Sequence, residues 1–134
     1  MLLKWDESMS TGVPKIDEQH QELLQRLNIL VDAMIEGKGN QEIEDMLTFL
    51  GKYTQCHFKD EEACMEEYKC PAALINKRAH AIFIKRFQQF RDEFKQDGPN
   101  TSLLIKVQRE LLQWLINHIR GIDIKMRPYA EAQK

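Results

Sequence analysis

The four histidines of this 134-residue chain are the residues whose type and spacing point most directly to chemistry. His20, His57, His80 and His118 each fall in a different segment of helical length, in phase with that segment's apolar residues. A buried imidazole is costly unless it is hydrogen-bonded or bound to a metal. One such histidine is usually a satisfied core residue, but four in the same phase favour a shared ligand.

Two acidic residues accompany these histidines. Glu61 lies one helical turn after His57 on the same face, and Asp123 follows His118 where the last helix should end. Imidazole together with carboxylate favours iron, manganese or zinc over calcium and magnesium. Four histidines around one zinc would leave the acids unexplained. Carboxylates that bridge packed helices are the usual way for a helix bundle to hold two irons.

The helices that must position these residues can be predicted from helix-breaking residues and from the spacing of apolar residues. Glycine, proline and asparagine interrupt the chain at 12–14, 37–40, 70–71 and 97–100. Four helices are predicted between and after them, over about 16–37, 40–68, 71–96 and 101–120.

The predicted fold class is all-α, with one domain over 1–134. Short connections make consecutive helices antiparallel, which gives an up-down-up-down four-helix bundle and brings all four histidines to one end. Residues 1–15 are predicted to form an ordered arm that packs through Leu2, Leu3, Trp5 and Val13. Asn40 and Thr101 are predicted N-caps, and Pro71 is predicted in the first turn of the third helix.

Composition narrows the class of protein. An apolar fraction of 43% is enough for a core, and 19 basic against 21 acidic residues argue against a nucleic acid or membrane partner. No long apolar run is present, so a cytoplasmic location is expected. Cys56, Cys64 and Cys70 lack paired spacing and are predicted to be free thiols, with a disulfide between Cys64 and Cys70 as the open alternative.

Three motifs resemble those of the hemerythrins, most closely the bacterial single-domain members. The tryptophan-bearing arm leads into Asp17-Glu18-Gln19-His20, like the family's opening. The second helix carries the family's His-x-x-x-Glu motif from His57 to Glu61. The last helix carries His-x-x-x-x-Asp from His118 to Asp123, preceded by Trp114. The resemblance covers nearly the whole chain.

The resemblance implies an oxo- or hydroxo-bridged centre of two iron ions. It assigns His20 and His57 to the iron that binds dioxygen and His80 and His118 to the other iron. Glu61 and Asp123 would bridge the two metals. Dioxygen or peroxide would be the small-molecule ligand. The residues implied to line a small dry pocket, with ordinary core packing as the alternative, are Phe58, Phe83, Trp114, Leu115 and Ile119.

The third helix departs from the family pattern. Where the family has His-x-x-x-His, this chain has Asn76 followed four residues later by His80, and Ala79 replaces a glutamate. An amide oxygen is a poorer donor to iron than imidazole, so Asn76 either binds weakly or leaves its position to water. The alternative is that Asn76 only packs beside a site that still binds oxygen, or that metal occupancy is lowered.

Two functions follow from this departure. The first is a non-haem diiron protein that binds dioxygen for storage, delivery or sensing. The alternative is a diiron oxidase or peroxidase that uses the coordination position opened at Asn76. A weaker interpretation is the handling of iron or nitric oxide without turnover. The sequence leaves the oligomeric state open.

Overall fold

A computed structural model describes residues 3–133, so Leu2 of the predicted arm lies outside the described residues. Three long helices are α1, Pro14–Glu36, α2, Asn40–Glu67, and α3, Ala73–Asp97. A fourth rod consists of α4, Thr101–Lys106, a π-helical segment, Val107–Gln113, and α5, Trp114–Gly121. Short 3₁₀ turns at Glu7–Met9 and Asp123–Met126 and a last helix, α6, Arg127–Ala132, complete the description.

The four rods form the predicted all-α antiparallel bundle, and the described residues contain no strand. α1 packs on α2, α2 on α3, and the fourth rod closes the bundle against both α3 and α1. The phenylalanines of α3 show why the rods associate, because Phe83, Phe87, Phe90 and Phe94 are all buried along one stripe. Burying such side chains is the main source of stability for amphipathic helices.

The helix ends differ in detail from the predicted ones. Asn100, and not Thr101, is the N-cap of α4, because its side chain accepts a hydrogen bond from the Leu103 N–H at 2.9 Å. Asn40 is already inside α2, whose N-cap is Gly39. Pro71 lies before α3, since the chain is still turning after Lys69, whose φ is 54°.

The π-helical segment was not predicted. Hydrogen bonds from residue i to i+5 place one more residue in each turn than in an α-helix. The phase of the apolar stripe therefore shifts within the fourth rod. Leu103 and Leu115 are buried, whereas their neighbours Leu104 and Trp114 are only half-buried.

The described part of the arm is held to α1 by polar contacts. The Asn28 side chain donates to the Leu3 carbonyl at 2.7 Å and accepts from the Leu3 N–H at 3.3 Å. The Asp17 carboxylate accepts from the backbone N–H of Thr11 at 2.8 Å. Leu3 and Trp5 also pack against the main core. Across residues 3–133, no helix combines the length and apolar character needed to cross a membrane.

Candidate metal centre

All six residues predicted to bind metal lie together at one end of the bundle. α1 begins and α2 ends there, α3 begins beside them, and the end of α5 and the turn after it supply the last two residues. Every one of these side chains is buried, and none is more than 6% exposed. The set is His20 from α1, His57 and Glu61 from α2, His80 from α3, His118 from α5 and Asp123 from the turn that follows.

Glu61 divides its two carboxylate oxygens between His20 and His57 on one side and His80 on the other. Its Oε2 lies 2.8 Å from His20 Nε2 and 3.3 Å from His57 Nε2. Its Oε1 lies 3.1 Å from His80 Nε2. Oε2 therefore faces the side of the site formed by α1 and α2, and Oε1 faces the side formed by α3 and α5.

Asp123 makes the same division. Its Oδ2 lies 3.1 Å from His20 Nε2, and its Oδ1 lies 3.1 Å from His118 Nε2. Neither buried oxygen accepts an aligned hydrogen bond from the described residues. Buried carboxylates are normally satisfied, so this one calls for a cation. The nitrogen and oxygen donors around it suit iron.

The pKa shifts in the cluster show that the two buried carboxylates favour a positive charge beside them. Burial lowers the pKa of His20, but the Asp123 and Glu61 carboxylates outweigh burial and raise that pKa to about 10. Burial would raise the pKa of Glu61, yet hydrogen bonds from His20, His57 and His80 hold it well below its usual range. Burial lowers the pKa of the His57 imidazole. A bound metal would take over the compensating charge.

Two of the histidines have partners on their outer ring nitrogens. Gln19 Oε1 lies 2.7 Å from His57 Nδ1, and Gln19 Nε2 donates to Asp60 Oδ2 at 2.8 Å. Glu62 Oε2 lies 2.9 Å from His80 Nδ1. Acceptors on Nδ1 leave the Nε2 lone pair free to face the site. Sequence reasoning did not find these partners; adjacency of Gln19 to His20 and of Glu62 to Glu61 was the available signal.

Asn76 lies inside the site and is fully buried. Its Oδ1 lies 2.8 Å from His118 Nε2, among the inward-facing donors of α3 and α5. Its Nδ2 donates to Glu61 Oε1 at 2.9 Å and contacts Met65 Sδ at 3.3 Å. Because only the amide nitrogen can donate to Glu61, the amide oxygen is turned toward His118.

Aromatic rings support the outer sides of the site. The Phe58 ring stacks on His80 with centroids 3.7 Å apart, and Trp114 stacks on His118 at 4.5 Å. Phe83 packs against both Phe58 and Trp114. These stacks fix the planes of two imidazoles and keep their outer faces dry.

A small cavity of about 10 Å³ lies one turn deeper in the bundle than His20 and His57. Phe58, Phe83 and Leu115 of the predicted pocket line it. Trp114 and Ile119 do not line this cavity, because Trp114 is stacked on His118 and Ile119 is fully buried in the core. The other lining residues are Leu23, Leu27, Leu50, Thr54 and Phe87. This volume is at the lower limit for one water molecule, and the wall is almost wholly apolar.

Comparisons with known proteins agree with this geometry. A family model described as the hemerythrin HHE cation binding domain matches residues 11–130. The bacteriohemerythrin of Stenotrophomonas maltophilia is 35% identical over 133 residues, which cover 99% of this chain and 82% of that protein. The bacteriohemerythrin of Pseudomonas aeruginosa is 35% identical over 121 residues, which cover 90% of this chain and 76% of that protein.

A more distant relative is a myohemerythrin. The myohemerythrin of Theromyzon tessulatum is 27% identical over 124 residues, which cover 92% of this chain and 90% of that protein. The matches and the buried cluster of histidine, glutamate and aspartate together imply two iron ions as the cofactor. The chain belongs to the hemerythrin family, whose diiron proteins bind dioxygen.

Proposed function

We propose that this chain binds dioxygen at a two-iron centre. The proposed metal ligands are His20, His57, Glu61, His80, His118 and Asp123. The observation that carries the proposal is the division of both buried carboxylates between two histidine groups. This is the arrangement expected of two bridging carboxylates between two metal positions. One position lies beside His20 and His57, and the other lies beside His80 and His118.

Asn76 is the proposed third donor on the side of His80 and His118. Its Oδ1 faces that position, and its Nδ2 is held by Glu61 and Met65. A neutral amide oxygen binds iron less strongly than an imidazole nitrogen. Asn76 also restrains one oxygen of the bridging Glu61. We infer that the residue both donates to the metal and positions the bridge.

The apolar cavity supports dioxygen as the ligand. Leu23 lies one turn after His20, and Thr54 lies one turn before His57, so the cavity adjoins the two-histidine side. A small apolar cavity admits a diatomic gas but offers water few partners. Exclusion of water would limit hydrolytic and proton-driven side reactions of a bound oxygen ligand. Cys56, Cys64 and Cys70 are free thiols, which fits storage, delivery or sensing of dioxygen in a reducing cytoplasm.

The test is anaerobic loading with ferrous iron followed by exposure to air. We expect two irons per chain and a charge-transfer band that disappears when dioxygen is removed. Asp123→Ala should lower the iron content, because both Asp123 oxygens face the proposed metal positions and neither accepts an aligned hydrogen bond from residues 3–133. Thr48→Ala, a polar change on α2 away from the cluster, should keep both irons. Immediate irreversible oxidation of the wild-type protein would contradict reversible binding.

A diiron oxidase or peroxidase is the second candidate. The observation that favours it is the amide donor at Asn76, because a weak donor is easily displaced by a substrate. Turnover with hydrogen peroxide and a reducing substrate should then be measurable. Asn76→His would supply a stronger donor and suppress turnover. A rate that does not change in Asn76→His would exclude this candidate.

A further inference from the structure

One stretch of the chain departs from the interspersed charge pattern. Residues 69–91 contain six of the 19 basic residues and none of the 21 acidic residues. Most of this stretch is α3, the helix that carries Asn76 and His80. The concentration of positive charge is therefore located on one rod of a chain whose formal net charge is −2.

The outer face of α3 combines this charge with exposed apolar side chains. Leu74, Ile75 and Ile82 are 58%, 56% and 52% exposed. Leu74, Arg78, Ile82 and Lys85 follow one another at four-, four- and three-residue steps, so they form one stripe opposite the buried Asn76 and His80. We call the surface formed by Leu74, Ile75, Lys77, Arg78, Ile82 and Lys85 the α3 ridge.

The cations of the α3 ridge form no ion pair with any residue that the structure describes. Within residues 3–133, neither Lys77, Arg78 nor Lys85 forms an ion pair, and the exposed Lys69 and Arg86 beside them form none either. Contiguous exposed apolar side chains mark interaction sites, and unpaired cations beside them complement an acidic partner.

The size of the ridge indicates the kind of partner. Residues 74–85 span roughly 17 Å along the helix axis. The surface area of one helix face of this length is smaller than the area that each partner contributes to a standard stable interface, which is roughly 800 Å². Small, electrostatically steered interfaces are characteristic of transient electron-transfer complexes.

The ridge is also close to the proposed metal site. His80 lies on the opposite face of the same helix, and an α-helix with its side chains is about 10 Å across. A carrier docked on the ridge would therefore stand about one helix diameter from a proposed iron ligand. No other rod needs to be crossed.

We propose that the α3 ridge docks an acidic one-electron carrier protein that returns the diiron centre to its ferrous state. The inference rests on the proposed function. Each encounter oxidises one carrier by one electron and reduces one ferric ion to ferrous, so two encounters convert a diferric site to the diferrous state. The partner is recognised by its negative surface, which complements the unpaired cations of the ridge, and by aliphatic contact with Leu74 and Ile82.

The experiment uses iron-loaded diferric protein and a photoreduced plant-type [2Fe–2S] ferredoxin, an acidic one-electron carrier, in a stopped-flow instrument. The wild-type reduction rate should fall as salt is added. The double variant Arg78→Gln, Lys85→Gln should be reduced about tenfold more slowly at low salt, within the usual range of electrostatic steering. Reduction by an uncharged free flavin should be unchanged.

Two matched controls separate docking from general effects. The double variant Lys4→Gln, Lys95→Gln removes the same charge from exposed lysines that make no ion pair within residues 3–133, and it should keep the wild-type rate. Ile82→Ser should slow reduction, whereas Ile35→Ser, at a residue 57% exposed on α1, should not. Equal rates for both double variants would overturn the proposal.

Failure of the docking proposal can be distinguished from failure of the proposed function. Carbodiimide cross-linking of ferredoxin carboxylates to Lys77 and Lys85 tests docking even if dioxygen does not bind. Sedimentation with phosphatidylglycerol vesicles tests a membrane partner. Vesicle binding that Arg78→Gln, Lys85→Gln abolishes, with no change in the ferredoxin rate, would assign the ridge to a membrane and overturn the proposal.

Discussion

Replacement of Asn76 by aspartate should change protein stability and iron retention in opposite directions. In the metal-free chain, Asn76→Asp removes the hydrogen bond to Glu61 Oε1, whose length is 2.9 Å, and places a second carboxylate there. Loss of a hydrogen bond to a charged group costs about 1.5–3 kcal/mol. Two unit charges at this separation repel by roughly 6 kcal/mol at an effective dielectric constant of 20. Protonation of one carboxylate limits the total, so we expect about 3–5 kcal/mol of destabilisation.

Iron should reverse this penalty if Asn76 donates to the metal. A carboxylate oxygen in the place of Asn76 Oδ1 would face the position beside His80 and His118 as an anionic donor. We therefore expect the Asn76→Asp protein, once loaded, to release iron to a chelator more slowly than wild type. Urea unfolding of the metal-free protein and chelator kinetics of the loaded protein are the two measurements.

A buried asparagine far from the site provides the control. Asn28→Asp loses donors to the Leu3 carbonyl at 2.7 Å and the Leu24 carbonyl at 2.9 Å. It should be destabilised without slower release of iron. If Asn76→Asp released iron as fast as wild type, Asn76 would be only a packing residue, and the assignment of its Oδ1 to the metal would be wrong.

Three further changes have defined outcomes. Because the pKa of His20 is about 10 in the folded protein and 6.5 in an unfolded chain, protonated His20 stabilises the metal-free protein fully below pH 6.5 and loses that effect as pH rises toward 10. Urea unfolding of metal-free protein should therefore show a loss of about 1.4 kcal/mol per pH unit between pH 7 and 9, and a flat profile would contradict the His20 environment. Gly51→Ala gains about 1 kcal/mol of helix propensity, but the new Cβ would lie 3.2 Å from Phe87 Cε1 and push that ring toward the cavity. In this variant, dioxygen association measured by flash photolysis should be slower, while the melting temperature stays nearly constant. Gly39→Ala is the control, because nothing lies within 4 Å of a Cβ added there. Gln19→Leu removes the acceptor on His57 Nδ1 and should weaken iron binding about 10- to 100-fold in a metal titration. An unchanged affinity would show that this contact does not orient the His57 ring.

The sequence predicted the bundle and the meeting of six residues because both depend on periodicity and alternating helix direction. His20 and His80 near helix starts, with His57 and His118 near helix ends, must share one end of an antiparallel bundle. The position of Asn76 among them follows from the same geometry. Their role as iron ligands stays a prediction that the proposed loading experiment tests.

Features that depend on individual side-chain directions could not be predicted. The contact of Glu62 with His80 joins two helices through a carboxylate whose neighbour, Glu61, points inward. Trp114 is predicted in a pocket wall, but the π-helical segment before it changes the phase of the rod, and the ring stacks on His118 instead. A period of 3.6 residues carries no signal for such a local change.

The π-helical segment Val107–Gln113 also bears on how this chain tolerates insertions and deletions. A turn closed by i to i+5 hydrogen bonds holds one residue more than an α-helical turn. Deletion of one residue, such as Gln108, would let the segment return to α-helix while α4 and α5 keep their orientations. Elsewhere in the rods, a deletion would rotate every following side chain by about 100°. The length of the chain between Thr101 and His118 is therefore adjustable by one residue at this place.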